Sequence, residues 1–165
     1  MRNGFRVNSI LEGALYAVAA TLLISGLIWL WLHNFVQVEG EFGPAPHPAE
    51  RWWIRVHGAA AFVSLFLLGF VTAQHVVHAW IVRRNRLSGV VFVTLNVVLV
   101  ATGYLLYYAA GEDTRAVVST MHWMIGIAYP AFFAWHVLRG RALRRSAGSA
   151  IPRPAPASLP PRIPS

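Results

Sequence analysis

Residues 56–82 read VHGAAAFVSLFLLGFVTAQHVVHAWIV, a run of 27 residues without Asp, Glu, Lys or Arg. A helix needs about 20 predominantly apolar residues to cross the hydrocarbon core of a bilayer. Three further runs, residues 13–38, 87–111 and 116–138, also lack those four residue types and hold 26, 25 and 23 residues. Because lipid offers the backbone no hydrogen-bond partners, we expect each run to form a helix.

The composition agrees with a membrane protein built from one helical domain. Of 165 residues, 56% are hydrophobic and 12% are charged, a smaller charged fraction than soluble domains carry. We therefore predict an all-α, integral-membrane, up-and-down four-helix bundle within residues 1–145. Residues 146–165 are rich in Pro, Ser and Ala and are expected to form a disordered tail. The predicted helices cover about residues 8–35, 51–82, 88–110 and 116–139.

Basic residues are distributed unevenly about the predicted helices. In an up-and-down topology, 11 arginines flank one side of the membrane and 3 flank the other. An excess of basic residues marks the cytoplasmic side, so we predict that both termini are cytoplasmic. The net charge of +8 is then explained by orientation and by anionic lipid headgroups, and it does not indicate nucleic-acid binding. On the outer side, residues 36–50 contain several Gly and Pro and are expected to be irregular, and residues 111–115 form a short loop.

Histidine is the principal candidate ligand in this sequence. The chain has no cysteine, which excludes disulfides, thiolate metal sites, Cys-ligated clusters and covalently attached c-type heme. Ionisable side chains at membrane depth are costly and indicate function. Two histidines, His33 and His47, fall at the outer surface and are interpreted as solvated. The other five lie within the second and fourth predicted helices: His57, His75, His78, His122 and His136.

The spacing of these five histidines predicts two pairs. His122 and His136 are 14 residues apart, and His57 and His75 are 18 apart, so each couple shares nearly one face of an α-helix. Both helices run in the same direction, which places His57 level with His122, and His75 or His78 level with His136. Imidazoles on facing helices suit a flat macrocycle whose iron takes one axial ligand from each side. We predict two b-type hemes with His57, His75, His122 and His136 as axial ligands, and His78 as the alternative to His75.

Other residues fit the same interpretation. Arginines at the helix ends are candidate partners for heme propionates, and small residues such as Gly58 and Gly126 would give a porphyrin room, although ordinary helix packing also explains them. Pro130 is expected to kink the fourth helix, and Ser88 is predicted to cap the third. The candidate arginines are Arg51, Arg55 and Arg115 outside, and Arg83, Arg84 and Arg139 inside. Interhelical hydrogen bonds are predicted for Gln74, Thr94, Asn96 and Thr102.

Two segments carry a resemblance to a known family. They are HWMIG at 122–126 with AWH at 134–136, and HG at 57–58 with QHVVHAW at 74–80. The chain resembles the bacterial membrane cytochrome b superfamily, which includes the four-helix b subunits of hydrogenases and formate dehydrogenases and small diheme cytochromes. The resemblance implies noncovalent heme b, bis-histidine ligation and the bacterial cytoplasmic (inner) membrane. It also implies electron exchange with quinone or with a partner dehydrogenase or cytochrome subunit.

The leading hypothesis is a transmembrane electron carrier of a respiratory chain, acting as a non-catalytic subunit of an oxidoreductase. The helices offer almost no carboxylate for acid–base chemistry, Glu12 being the exception. Two alternatives stay open. One is a histidine-lined transporter for transition-metal ions or protons, and the other is a membrane scaffold without redox activity. A reduced-minus-oxidised optical spectrum separates the three.

Overall fold

The computed structural model describes residues 9–81, 86–108 and 111–149. Within these ranges, four helices are long and apolar enough to cross a membrane. A π-helical turn, Thr72–Val76, and a short helix α3, Val77–Ile81, extend the second of them. The predicted all-α fold with four spans is confirmed. The four long helices are α1 (Ser9–Phe35), α2 (Ala49–Val71), α4 (Arg86–Tyr108) and α5 (Glu112–Ser149).

The helices form two hairpins. α1 packs along α2, and α4 packs along α5. The hairpins meet where α1 lies against α5, and there the rings of Tyr16 and Phe133 are 5.5 Å apart between centroids. α2 approaches α4 at Gly58, where the Tyr107 hydroxyl lies 3.8 Å from the position of an added Cβ. The order around the bundle is therefore α1, α2, α4, α5, with α2 and α5 diagonally opposite.

Most apolar side chains of the described residues face outward. Phe62 is 78% exposed and Phe66 is 69% exposed. In water such surfaces mark a binding site or an aggregation hazard, whereas in a bilayer they meet hydrocarbon. The exposed helices thus agree with a multi-pass membrane protein.

The helix contacts bury small polar side chains. Ser25, Ser88 and Thr102 are buried, and so is the carboxylate residue Glu50. Lipid tails are as apolar as leucine, so helices in a membrane associate through close packing and hydrogen bonds instead of apolar burial. The buried hydroxyls therefore indicate where the helices are held together.

The segment that links α1 to α2 differs from its prediction. Residues 36–50 were expected to be irregular, but strand β1 (Gln37–Gly40) pairs antiparallel with strand β2 (Gly43–Pro46). Gly43 has a φ of 110°, a conformation that favours glycine, and so it can reverse the chain. A proline in a two-stranded ribbon can turn its missing N–H to the open edge, so the prolines of β2 do not prevent pairing. We call the end of the bundle that carries this ribbon the ribbon end.

The fourth helix is longer than predicted at both ends. It begins at Glu112, which removes most of the loop expected at residues 111–115, because Glu112 and Asp113 complement the positive end of the helix dipole. It also continues through Gly140 to Ser149, since Ala, Leu and Arg in this region are strong helix formers. The predicted tail from residue 150 onward lies outside the described residues.

The second and third helices also need correction. The predicted helix at 51–82 begins two residues earlier, at Ala49, and its α-helical hydrogen bonding is interrupted by the π-helical turn. Ser88 is not an N-cap, because α4 already begins at Arg86 and the Ser88 hydroxyl contacts α5.

Candidate functional site

Two histidines from diagonally opposite helices meet inside the bundle, toward the ribbon end. The ring centroids of His57, on α2, and His122, on α5, are 6.2 Å apart, and the ring planes are inclined by 76°. Both residues are half-buried. The structure thus brings together the two residues that the sequence had paired at this level.

The His57 ring is held by helix α1. Its Nδ1 lies 3.0 Å from the Leu22 carbonyl oxygen and 3.1 Å from the Ser25 hydroxyl oxygen. Because a carbonyl oxygen only accepts hydrogen bonds, Nδ1 carries the ring proton and donates it. The other nitrogen, Nε2, then keeps its lone pair, which is the form of imidazole that binds metals.

The His122 ring is held by helix α4 in the same manner. Its Nδ1 lies 2.8 Å from the Thr102 hydroxyl oxygen. That hydroxyl donates its single proton to the Val98 carbonyl at 2.7 Å, so it accepts the hydrogen bond from the ring. His122 therefore has the same tautomer as His57, with the Nε2 lone pair available.

A glycine lies against each of these rings. A Cβ added to Gly26 would be 3.2 Å from Cε1 of His57, and one added to Gly103 would be 3.4 Å from Cε1 of His122. Each imidazole therefore packs directly on bare backbone. The rings share one pattern of neighbours: each contacts a hydroxyl residue and the glycine that follows it. We call Ser25-Gly26, Thr102-Gly103 and Ser88-Gly89 the hydroxyl–glycine pairs.

Ser88, of the third pair, holds His136 at the opposite end of the bundle, whereas a Cβ added to Gly89 would have no neighbour within 4 Å. The His136 Nδ1 lies 3.1 Å from the Ser88 hydroxyl oxygen, and the ring stacks on Phe92 with centroids 5.1 Å apart. Ser88 and Thr102 are 14 residues apart, as are His122 and His136. Because α4 and α5 are antiparallel, equal spacing keeps both contacts in register.

The backbone of His75 lies in the π-helical turn and that of His78 in α3, whereas their side chains lie outside the described part of the chain. An 18-residue spacing equals five whole turns only in an uninterrupted α-helix. The π-helical turn holds more residues per turn and so changes the angle between the two residues. The prediction that His57 and His75 share one face therefore assumed a continuous α-helix, which is not what the structure has. The choice between His75 and His78 stays a prediction. Turns of this type are frequent at functional sites.

The arginines proposed for propionates lie near the helix ends. Arg83 and Arg84 fall outside the described residues. The guanidinium of Arg55 lies 5.3 Å from the ring centre of Trp52, and that of Arg139 lies 5.7 Å from that of Trp135. Their part in binding propionates stays a prediction. Four of the candidates are exposed in the structure: Arg51, Arg55, Arg115 and Arg139.

An aromatic cluster occupies the region between His122 and His136. The ring of Phe92 lies 5.4 Å from that of Tyr129 and 5.7 Å from that of Phe133, between centroids. The Tyr129 hydroxyl donates to Asn96 Oδ1 at 3.1 Å, so the interhelical bond expected of Asn96 is present. Thr94, for which such a bond was also expected, is instead exposed.

The two histidines interpreted as solvated have definite partners. His33 Nδ1 lies 3.1 Å from Oε2 of Glu50, which is 8% exposed, and the His33 ring stacks on Trp29. The His47 Nδ1 accepts a hydrogen bond from the Ala49 amide at 3.1 Å, which secures the start of α2. His33 is nevertheless 53% exposed and His47 is partly exposed, which agrees with their interpretation as surface residues, and each also makes a contact at the link between α1 and α2.

Sequence reasoning missed the hydroxyl–glycine pairs as parts of the site. Thr102 was interpreted only as an interhelical hydrogen-bonder, and Ser25 was not considered. A signal was present, since Ser-Gly or Thr-Gly occurs three times in or beside the charge-free runs, with two occurrences repeating the 14-residue spacing of the histidines.

Comparison of the chain with protein-family models, curated proteins and solved structures finds no match. Within the described ranges, no group of three or more His, Cys, Asp or Glu residues is placed to hold a metal ion. Two imidazoles, by contrast, suffice as the axial ligands of a heme iron. Fold and site together define a multi-pass membrane protein with a paired-histidine site inside a four-helix bundle.

Proposed function

We propose that this protein is a transmembrane electron carrier that binds a b-type heme between His57 and His122. The observation that carries the proposal is the pairing of two half-buried imidazoles at 6.2 Å, each tied at Nδ1 to its neighbouring helix. A heme held in this way supplies one-electron redox chemistry. The side chains and backbone of the bundle bind and orient the heme and keep water away from it.

The separation of the rings fits two axial ligands on one iron. An iron that bonded Nε2 of both rings from opposite sides, at about 2.0 Å with each ring centre roughly 1.1 Å beyond its nitrogen, would hold the centroids about 6.3 Å apart. The centroids of His57 and His122 are 6.2 Å apart. The neutral Nδ1–H tautomer of both rings is also the one that coordination requires. The donor set therefore fits a bis-histidine heme.

The surrounding chain orients the two ligands and excludes water. Carbonyl and hydroxyl oxygens of α1 and α4 fix the ring tautomers, and Gly26 and Gly103 let each ring lie close to the backbone. Apolar helix surfaces in a bilayer keep the site dry, which leaves ligand hydrogen bonds and nearby charge to set its redox potential.

A second heme at the opposite end completes the proposed path across the membrane. His136, held by Ser88 and stacked on Phe92, is one ligand of this heme. The other comes from α3 or the π-helical turn, with His75 favoured over His78. The proposed propionate partners at this end are Arg83, Arg84 and Arg139. At the ribbon end they are Arg51, Arg55 and Arg115.

The distribution of charge supports a ribbon end that lies outside the cytoplasm. The 11-to-3 distribution of arginines supports cytoplasmic termini, and we propose a location in the bacterial cytoplasmic membrane. Electrons would then pass between the two sides of that membrane, to or from quinone or a partner oxidoreductase subunit. The chain itself needs no catalytic acid or base for this role.

Heme stoichiometry in histidine variants tests the proposal. The purified protein should show a reduced-minus-oxidised Soret and α band, and pyridine hemochrome analysis gives its heme content. His57→Ala and His122→Ala should each remove one heme, and the double variant should lose no more than either single variant, because both ligands hold the same group. His47→Ala is the matched control and should keep full heme content. A wild-type protein without heme bands, or full heme content in both single variants, would reject the proposal.

A further inference from the structure

The hydroxyl–glycine pairs lie beside the histidines of the proposed heme site, and their role depends on the proposed function. We infer that Ser25 and Thr102 are positioning residues that fix the tautomer and orientation of His57 and His122, so that each Nε2 lone pair stays available to the iron. Neither hydroxyl touches the metal. Each acts through the histidine to which it is hydrogen-bonded.

The direction of the hydrogen bonds leaves one assignment. A serine or threonine hydroxyl has a single proton. The Ser25 proton points to the Thr21 carbonyl at 2.6 Å, and the Thr102 proton points to the Val98 carbonyl at 2.7 Å. Both hydroxyl oxygens can therefore only accept from the rings. The opposite tautomer would turn the Nδ1 lone pair of His57 toward the oxygens of Leu22 and Ser25, and that of His122 toward the Thr102 hydroxyl oxygen.

The repetition of the arrangement shows that more than local helix chemistry is involved. A serine or threonine within a helix satisfies its hydroxyl on the carbonyl four residues earlier and needs no further partner. At Ser25 and Thr102 such a hydroxyl also meets a histidine Nδ1 of the adjacent helix, at 3.1 and 2.8 Å, and the Ser88 hydroxyl lies 3.1 Å from the Nδ1 of His136. Each of these hydroxyl residues is followed by a glycine. At Ser25 and Thr102 the half-buried histidines gain the bond, since these two hydroxyls already donate to carbonyls of their own helix.

The hydrogen bond should also tune the redox site. An imidazole that donates its Nδ1–H to an acceptor is a more basic ligand, which favours the oxidised, more positive iron and lowers the midpoint potential. Loss of such a partner typically weakens metal binding by about 10- to 100-fold. Removing the Thr102 hydroxyl should therefore weaken heme binding by about tenfold and raise the midpoint potential.

Thr102→Val is the decisive variant, because it removes the hydroxyl and keeps the shape of the side chain. Thr102→Ser restores the hydroxyl and should recover heme affinity and midpoint potential. Thr94→Val is the matched control: Thr94 lies on the same helix but is exposed, and both quantities should stay at wild-type values. Ser25→Ala should act on the same heme, whereas Ser88→Ala should act on the heme at the opposite end.

A heme-free measurement keeps this inference separable from the proposed function. Nitrogen-15 NMR of histidine-labelled, full-length protein without heme should show the proton of His57 and His122 on Nδ1. If the wild-type protein binds no heme, the proposed function fails, and the tautomers still decide whether the hydroxyls position the rings. The inference is overturned if either ring carries its proton on Nε2. It is also overturned if Thr102→Val binds heme with wild-type affinity and potential.

Discussion

Substituting Gly26 with alanine should weaken the site without unfolding the protein. The added Cβ would lie 3.2 Å from Cε1 and 3.4 Å from Nδ1 of His57. Ordinary carbon contacts lie at about 3.5–4.0 Å, so the ring must shift by roughly 0.3–0.5 Å. The bond from Nδ1 to the Leu22 carbonyl, now 3.0 Å, would then approach the limit of about 3.2 Å for good geometry.

The cost of the shift follows from the hydrogen bond that it weakens. An intramolecular hydrogen bond contributes about 1 kcal/mol net, so weakening this one should reduce heme affinity by roughly two- to fivefold. Alanine is also favoured over glycine inside a helix by about 0.5–1 kcal/mol, and the heme-free protein should remain as stable as wild type or become slightly more stable. The loss of heme would thus not be a consequence of unfolding.

Heme titration of the purified variant, monitored at the Soret band, measures this effect, and thermal unfolding in detergent measures stability. Gly13→Ala is the matched control, because it lies on the same helix and its added Cβ would have no neighbour within 4 Å. It should leave heme affinity unchanged. Gly26→Leu should abolish heme binding at this site. If Gly26→Leu bound heme as tightly as wild type, the packing of His57 on bare backbone would be refuted.

Three further outcomes are expected. Tyr129→Phe should lower the free energy of unfolding in detergent by about 0.5–1 kcal/mol, and a double-mutant cycle with Asn96→Leu should show that this loss belongs to their 3.1 Å bond; additive effects would contradict it. Glu50→Ala should destabilise the protein by about 0.5–1.5 kcal/mol because it removes the hydrogen bond to His33, whereas Glu39→Ala on exposed β1 should not. A reporter active only in the periplasm, fused to the C-terminus, should be inactive, and activity would overturn the proposed orientation.

The four spans were predictable because the signal for a transmembrane helix lies within each segment. Twenty apolar residues without charge indicate a spanning helix whatever the neighbouring helices do. The level pairing of His57 with His122 also followed from sequence, since it needs only the direction of each helix and a count of residues.

Features that depend on contacts between segments could not be predicted. The π-helical turn lies in TAQHV, which contains neither glycine nor proline to indicate an interruption. The prolines of β2 suggested a loop, because proline is rare in β-strands. A two-stranded ribbon, however, has an open edge at which no N–H donors are needed. The role of Ser25 depends on the helix that faces it. From sequence, a serine in a helix is explained equally well by a hydrogen bond from its hydroxyl to a carbonyl of the same helix.

The contacts between helices indicate what holds the two hairpins together. Within each hairpin, α1 packs on α2 and α4 on α5, and each inter-helix contact includes a hydroxyl bonded to a histidine. Between the hairpins, the described ties are fewer, among them Tyr16 with Phe133 and the contact of the His57 and His122 rings. Apolar burial adds little to helix association in lipid. A group bound by both rings would therefore stabilise the association of the hairpins with each other, by an amount that grows with its concentration relative to Kd, and would leave the stability within each hairpin unchanged.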